Sequence, residues 1–287
     1  MVAATLAAVA AVGCSSPVTA SATKPARAAA TKPARAAGAA GYWTVGRLLA
    51  AGPWQATERA NQTPDGASED ARTALDAPRV GALFLHDSSG NHFCTASVVT
   101  SPGRDLLITA AHCISGGNGT GYRSDIVFIP DYRDGRAPYG IWTPARVLVA
   151  RGWASSGNPA LDVGFVVLKP RDGENIEQIL GANVLRFNAG YRNLVRVTGY
   201  PNSSGEPITC RNWTVEQSAS QLEFSCPGFT GGTSGSPWIT GFDPATRTGS
   251  IVGVLGGYER GGTSPSVSYS AYLGAAIRTL YDQAISG

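Results

Sequence analysis

Three side chains, far apart along the chain, are of the types that nucleophilic catalysis needs. Residues 230–238 read Thr-Gly-Gly-Thr-Ser-Gly-Ser-Pro-Trp, which sets Ser234 among glycines. A serine hydroxyl is a weak nucleophile at neutral pH. It needs a base to take its proton and backbone amides to hold the oxyanion it creates. Glycine lets the backbone turn its N–H groups toward one point, so the amides of Gly232 and Ser234 are the candidate oxyanion hole. Taken alone, the stretch would read equally well as a Gly/Ser surface turn. The candidate base closes an apolar run, Leu107-Ile108-Thr109-Ala110-Ala111-His112-Cys113. Of the three histidines, His86, His92 and His112, only His112 follows such a run. Asp162 opens the apolar stretch Val163-Gly164-Phe165-Val166-Val167-Leu168, a costly place for an unpaired carboxylate. It needs a partner, and the His112 imidazole is the natural one. The competing view makes Asp162 a loop-capping turn residue. Asp125, Asp131 and Asp134 lie in a polar Gly/Pro-rich loop and are weaker candidates.

The elements that must position these groups read as short strands. From residue 80 onward, apolar runs are broken by Gly, Pro, Asn and Asp. Strands are predicted over residues 80–85, 95–99, 106–110, 126–129, 146–149 and 163–168. A second set covers 195–199, 208–215, 222–225, 238–240, 251–255 and 267–270. Such spacing suits antiparallel barrels or sandwiches. Only residues 275–283 read as helix, with Ile277, Leu280 and Tyr281 on one face. The composition agrees: 36 glycines and 18 prolines among 287 residues favour turns, and 43% hydrophobic residues allow a sizeable core. The formal charge of +3 is weak and comes partly from the leader, so nothing points to nucleic acid.

Five cysteines fall at Cys14, Cys94, Cys113, Cys210 and Cys226. Four of them form two local pairs, Cys94 with Cys113 and Cys210 with Cys226. No spacing suggests zinc or another metal. Two structural disulfides place the chain outside the cytoplasm. Residues 1–18 read as a secretory signal, with an apolar run too short to span a membrane. Ala11-Val12-Gly13-Cys14 resembles a bacterial lipobox, in which Cys14 would carry a lipid; ordinary cleavage near residues 18–20 is the alternative. Membrane contact is expected only through such an anchor. Residues 19–40 repeat Thr-Lys-Pro-Ala-Arg-Ala-Ala and are expected to be a disordered linker. Residues 41–79 read either as a propeptide ending at Arg79 or as a segment whose Trp43 and Trp54 pack on the main domain, residues 80–287.

Thr109-Ala110-Ala111-His112-Cys113 with Ser234-Gly235-Ser236-Pro237 resembles the chymotrypsin-like serine proteases. More narrowly it is similar to the bacterial branch that includes the glutamyl endopeptidases, where Ser-Gly-Ser-Pro replaces the commoner Ser-Gly-Gly-Pro. The resemblance covers residues 80–285, and the chain order His, Asp, Ser agrees with it. It implies an all-β fold of two six-stranded antiparallel barrels with a short C-terminal helix. His112 and Asp162 would sit on the first barrel and Ser234 on the second. It also implies a secreted, monomeric endopeptidase that acts on protein or peptide substrates through an acyl-enzyme, with no cofactor.

The chain departs from the family pattern around the substrate. Many members carry Asp where this chain has Thr233. Trypsin-like members carry Asp where Gly228 stands, which argues against Arg or Lys specificity. Glutamyl endopeptidases have His and Thr or Ser where this chain has Leu255 and Phe229, which argues against Glu specificity. Apolar or small side chains are the remaining expectation, with Gly228, Phe229 and Leu255 near the pocket. Gly256 and Gly257 are expected to pair with the substrate backbone. An α/β-hydrolase is excluded, because Gly-x-Ser-x-Gly and strand–helix alternation are missing. The rival from another class is a weakly active or inactive protease-fold binding protein at the cell surface.

Overall fold

The computed structural model describes Met1, Lys32–Pro33, residues 38–54, 72–74 and 77–287. Cys14 and the rest of the signal-like stretch, and most of the repeat-bearing linker, lie outside the described residues. Twelve strands of four residues or more carry the fold. The first six are β1 Val80–Asp87, β2 Gly90–Val99, β3 Leu106–Thr109, β4 Ser124–Pro130, β5 Pro144–Val149 and β6 Gly164–Leu168. They pair in the order β5-β6-β3-β2-β1-β4. Phe128 on β4 and Trp142, just before β5, exchange backbone hydrogen bonds and close the ring.

The second set is β7 Leu194–Gly199, β8 Ile208–Ser218, β9 Gln221–Ser225, β10 Pro237–Asp243, β11 Thr248–Val254 and β12 Val267–Ala271. Its order is β11-β10-β7-β8-β9-β12. Hydrogen bonds from Val254 N to Ser270 Oγ and from Gly256 N to the Tyr269 carbonyl close it. The two barrels predicted from the sequence are present, and every predicted strand falls within or against an observed one. The C-terminal helix, Ala275–Ile285, buries Ile277, Leu280 and Ala284 against Ile108, Phe165 and Ile251.

The pleat explains how one strand serves two cores. Side chains alternate across a strand, so Leu83 and Leu85 of β1 face the interior of the first barrel. Val80, Ala82 and Phe84 face the other way. That outer face is covered by residues upstream of the barrel. Ala39–Tyr42 (α1) and Val45–Ala50 (α2) bring Trp43 and Leu48, each 4% exposed, against Phe84 and Val127. Trp43 Nε1 donates to the Asp125 carbonyl at 2.6 Å. Trp43 and Trp54 therefore pack on the main domain, an arrangement open to a propeptide and to a permanent segment alike. Upstream of it, Ala39 is buried, and the Lys32–Pro33 backbone pairs with Arg146–Val147.

The upstream segment is pinned at its end by charge. Gly52–Pro53 runs parallel to His92–Phe93, and Trp54 N donates to the Phe93 carbonyl at 2.9 Å. Arg123 lies 3.8 Å over the Trp54 ring and pairs with Asp87 at 2.7 Å. Burial alone would raise the Asp87 pKa. Hydrogen bonds from Ser89 and the charges of Arg123 and His92 outweigh it, so the carboxyl sits below its usual range. A depressed carboxyl stabilises the fold above its unfolded pKa of ~3.9, and that contribution is lost as pH falls through the lower folded value. The melting temperature should therefore fall as pH drops below about 4. Arg123→Gln should flatten that acid limb and lower the melting temperature at neutral pH. An acid limb unchanged in Arg123→Gln would remove this cluster from the account.

Candidate active site

His112 leaves β3 on a single helical turn, Ala111–Ile114 (α3). The Cys94–Cys113 disulfide, with S–S at 2.02 Å, staples that turn to β2. The imidazole is 1% exposed. Asp162 arrives from the other side of the barrel. Helix α4, Arg151–Ser156, ends at Gly157 with φ 62°, in the left-handed region. Asn158 then caps a short turn by accepting from Ala160 N at 3.0 Å. The capping role that competed for Asp162 therefore belongs to Asn158, and the Asp162 carboxylate is free for other donors.

That carboxylate is 0% exposed and accepts three hydrogen bonds. His112 N donates to Oδ1 at 2.9 Å, and His112 Nδ1 lies 2.7 Å from Oδ2. The third donor is Gly257 N–H, from the second barrel, 2.9 Å from Oδ2. A carboxylate can only accept, so Nδ1 carries the proton and, in the neutral ring, Nε2 presents its lone pair. His112 Nε2 is buried and has no hydrogen-bond partner. The ring of Trp153 backs the imidazole with centroids 6.4 Å apart.

Ser234 sits on a turn wired at every step. Thr233 Oγ1 donates to the Thr230 carbonyl at 2.6 Å, and Ser236 Oγ donates to the Thr233 carbonyl at 2.6 Å. Gly235 N donates to the Leu255 carbonyl at 2.7 Å, and Leu255 N donates to the Ser236 carbonyl at 2.9 Å. Across the barrels, Thr95 N donates to the Ser234 carbonyl at 2.7 Å. Gly235 lies against Ala110, two residues before His112, which brings the turn beside the imidazole. No hydrogen bond joins Ser234 Oγ to Nε2. Among the described residues, the amides of Gly232 and Ser234 donate to no carbonyl. Gly232 has φ +92°, and a Cβ there would lie 2.2 Å from the Phe93 ring.

The specificity expectations need correction. Phe229 and Leu255 are both 0% exposed and belong to the second barrel's core, where the Phe229 ring meets that of Phe224 edge-on. Their side chains have no surface for a substrate to touch. Gly256 N and Gly257 N are already spent on the Tyr269 carbonyl and on Asp162. Pairing a substrate through those two N–H groups is therefore closed. Gly228 is half-buried with φ +90°. The Cys210–Cys226 disulfide forms as expected, at the back of the same core. Cys94 and Cys113 sulfurs lie close to His112 in a group that resembles a metal site, but the two sulfurs are bonded to each other.

Two positioning groups gave no signal in the sequence. One is the Gly257 amide. The other is Thr95, whose Oγ1 donates to the Gly232 carbonyl at 3.1 Å and accepts from Tyr200 N at 3.0 Å. Its own carbonyl accepts from Thr109 Oγ1 at 2.7 Å. Its place next to Cys94 was the only available hint.

These contacts leave no room at Gly235, where φ is +84° and a Cβ would lie 2.1 Å from the Thr95 carbonyl oxygen and 2.2 Å from Thr109 Oγ1. Gly190 has a similar φ of +75° with nothing within 4 Å. Gly190→Ala should cost only the left-handed backbone term, about 1–2 kcal/mol. Gly235→Ala should add about 1–3 kcal/mol of overpacking. Equal losses of melting temperature in the two variants would contradict the crowding described for the Ser234 turn.

No protein-family model matches the sequence, and no curated protein matches it. Solved structures do. The protease Anisep from Arthrobacter nicotinovorans is 26% identical at TM-score 0.68, over 76% of this chain and 100% of that one. The thermostable serine protease AL20, from an extremophilic microorganism, is 26% identical at TM-score 0.66, over 74% of this chain and 98% of that one. A glutamyl endopeptidase matches in fold, with 16% identity and TM-score 0.60, over 76% of this chain and 98% of that one. Two barrels, the His-Asp-Ser chain order and these likenesses make the chain a relative of the chymotrypsin-like serine proteases, on their bacterial side.

Proposed function

We propose that the protein is an exported serine endopeptidase. The observation that carries this is the buried pairing of His112 with Asp162 beside the Ser234 turn. Asp162 fixes the ring with Nδ1 protonated, which leaves Nε2 to act as base. Ser234 Oγ attacks the carbonyl carbon of a peptide bond and passes its proton to Nε2. The oxyanion of the tetrahedral intermediate takes hydrogen bonds from the Gly232 and Ser234 amides. The C–N bond then breaks, and the leaving amine takes the proton from Nε2. Water, deprotonated by the same nitrogen, hydrolyses the acyl-enzyme and frees Ser234. The hydrogen bond between Ser234 and His112 forms in the substrate complex, as catalytic contacts that are loose in the free enzyme commonly do.

Two disulfides suit an oxidising compartment outside the cytoplasm.

A fluorophosphonate probe tests the proposal directly. The full chain should be labelled stoichiometrically, and Ser234→Ala should not be labelled at all. Asp162→Asn should keep the fold and lower kcat/KM on a peptide substrate by about 10⁴, because the imidazole would present the wrong tautomer. A folded chain that takes up no probe would instead be the non-catalytic binding protein.

A further inference from the structure

A cavity of about 560 Å³ lies on the outer side of the second barrel, away from His112, Asp162 and Ser234. Arg72 and Arg79 enter it from the segment that leads into β1, Arg196 from β7, Arg211 from β8 and Arg247 from the β10–β11 turn. No acidic side chain lines it among the described residues. Like charges gathered in one cavity repel one another, and an anion bound among them relieves that repulsion. The volume is that of a small-molecule site.

Two guanidinium groups are held there with donors unused. Arg79 Nε and Arg196 Nε are buried and have no hydrogen-bond partner. Arg196 stacks 4.4 Å over the Phe242 ring. That contact satisfies the face of the guanidinium, whereas its N–H donors lie in the plane and still lack an acceptor. Arg79 NH1 makes one long bond, 3.4 Å, to the Arg247 carbonyl. Burial holds the Arg79 pKa below its ordinary value, with no carboxylate opposing the shift. A buried donor left unmade is costly, and the planar fork of arginine fits tetrahedral oxyanions bidentately.

We propose that this cavity binds an oligoanion carrying phosphate or sulfate groups. Several arginines around one cavity would neutralise several charges at once, so a linear triphosphate should bind better than a single orthophosphate. The site is independent of the proteolytic reading, because none of its residues belongs to the catalytic group.

Titration calorimetry of the full chain, carrying Ser234→Ala to prevent self-cleavage, tests this with sodium tripolyphosphate, orthophosphate and sulfate at constant ionic strength. Saturable one-to-one binding of tripolyphosphate is expected, with orthophosphate and sulfate weaker. Arg196→Gln and Arg211→Gln should each weaken it about tenfold, the loss of a charge-assisted hydrogen bond. Arg151→Gln, on the exposed end of α4, should bind as the parent does. If Arg196→Gln misfolds, Arg211→Gln decides, since that side chain is exposed. No saturable heat with tripolyphosphate, or equal weakening in Arg151→Gln, would overturn the proposal.

Discussion

The Asp162 carboxylate, buried with no exposure, is the constraint around which the structure is arranged. A charge in that position is tolerable only if its lone pairs are filled. Two donors come from His112, backbone and ring, and one from Gly257 in the other barrel. Removing one partner of such a group typically costs about 3–5 kcal/mol, because an uncompensated charge stays behind. The same three bonds therefore fix the imidazole tautomer and lock the barrels in register. The orientation of His112 and inter-barrel packing are two consequences of one desolvated acid.

Thr95 does the corresponding work for the Ser234 turn. It lies on β2 next to the Cys94–Cys113 staple, so its position is as rigid as the disulfide can make it. From there its amide reaches the Ser234 carbonyl and its hydroxyl reaches the Gly232 carbonyl. Both bonds cross from the first barrel to the second. They turn the carbonyls on either side of Thr233 toward β2, and the Gly232 and Ser234 amides are left without backbone acceptors. Only glycine fits at 232 and 235, because Phe93, Thr95 and Thr109 fill the space where a Cβ would stand.

The strands were legible because short apolar runs are punctuated by turn residues, a local signal that tertiary packing did not override. The His112–Asp162 pairing was legible too, since a carboxylate heading an apolar strand requires a partner. Thr95 and the Gly257 amide were not. A backbone donor leaves no trace in residue type, and a threonine in a strand is expected for its β-branched shape alone. Phe229 and Leu255 show the opposite failure: alignment to a pocket position gave them a role, but large apolar side chains beside a disulfide went into the core. Trp43 and Leu48 were ambiguous for a related reason. Their apolar character requires a covering partner without saying which surface supplies it, and the outer face of β1 turned out to be that surface.

The Gly257 amide exposes a competition that the fold has resolved in one direction. A peptide substrate adds to an edge by pairing with free backbone groups. Here the edge next to His112 and Asp162 gives up one N–H to Asp162 and another to the Tyr269 carbonyl. The chain then leaves the extended conformation at once. Gly257 adopts φ 80° and ψ −127°, Tyr258 N is capped by Gln221 Oε1 at 3.0 Å, and Glu259 and Arg260 follow with φ of 49° and 53°. Satisfying the buried carboxylate thus occupies a backbone N–H beside the Ser234 turn. Any chain laid along this edge would find the N–H groups of Gly256, Gly257 and Tyr258 already engaged.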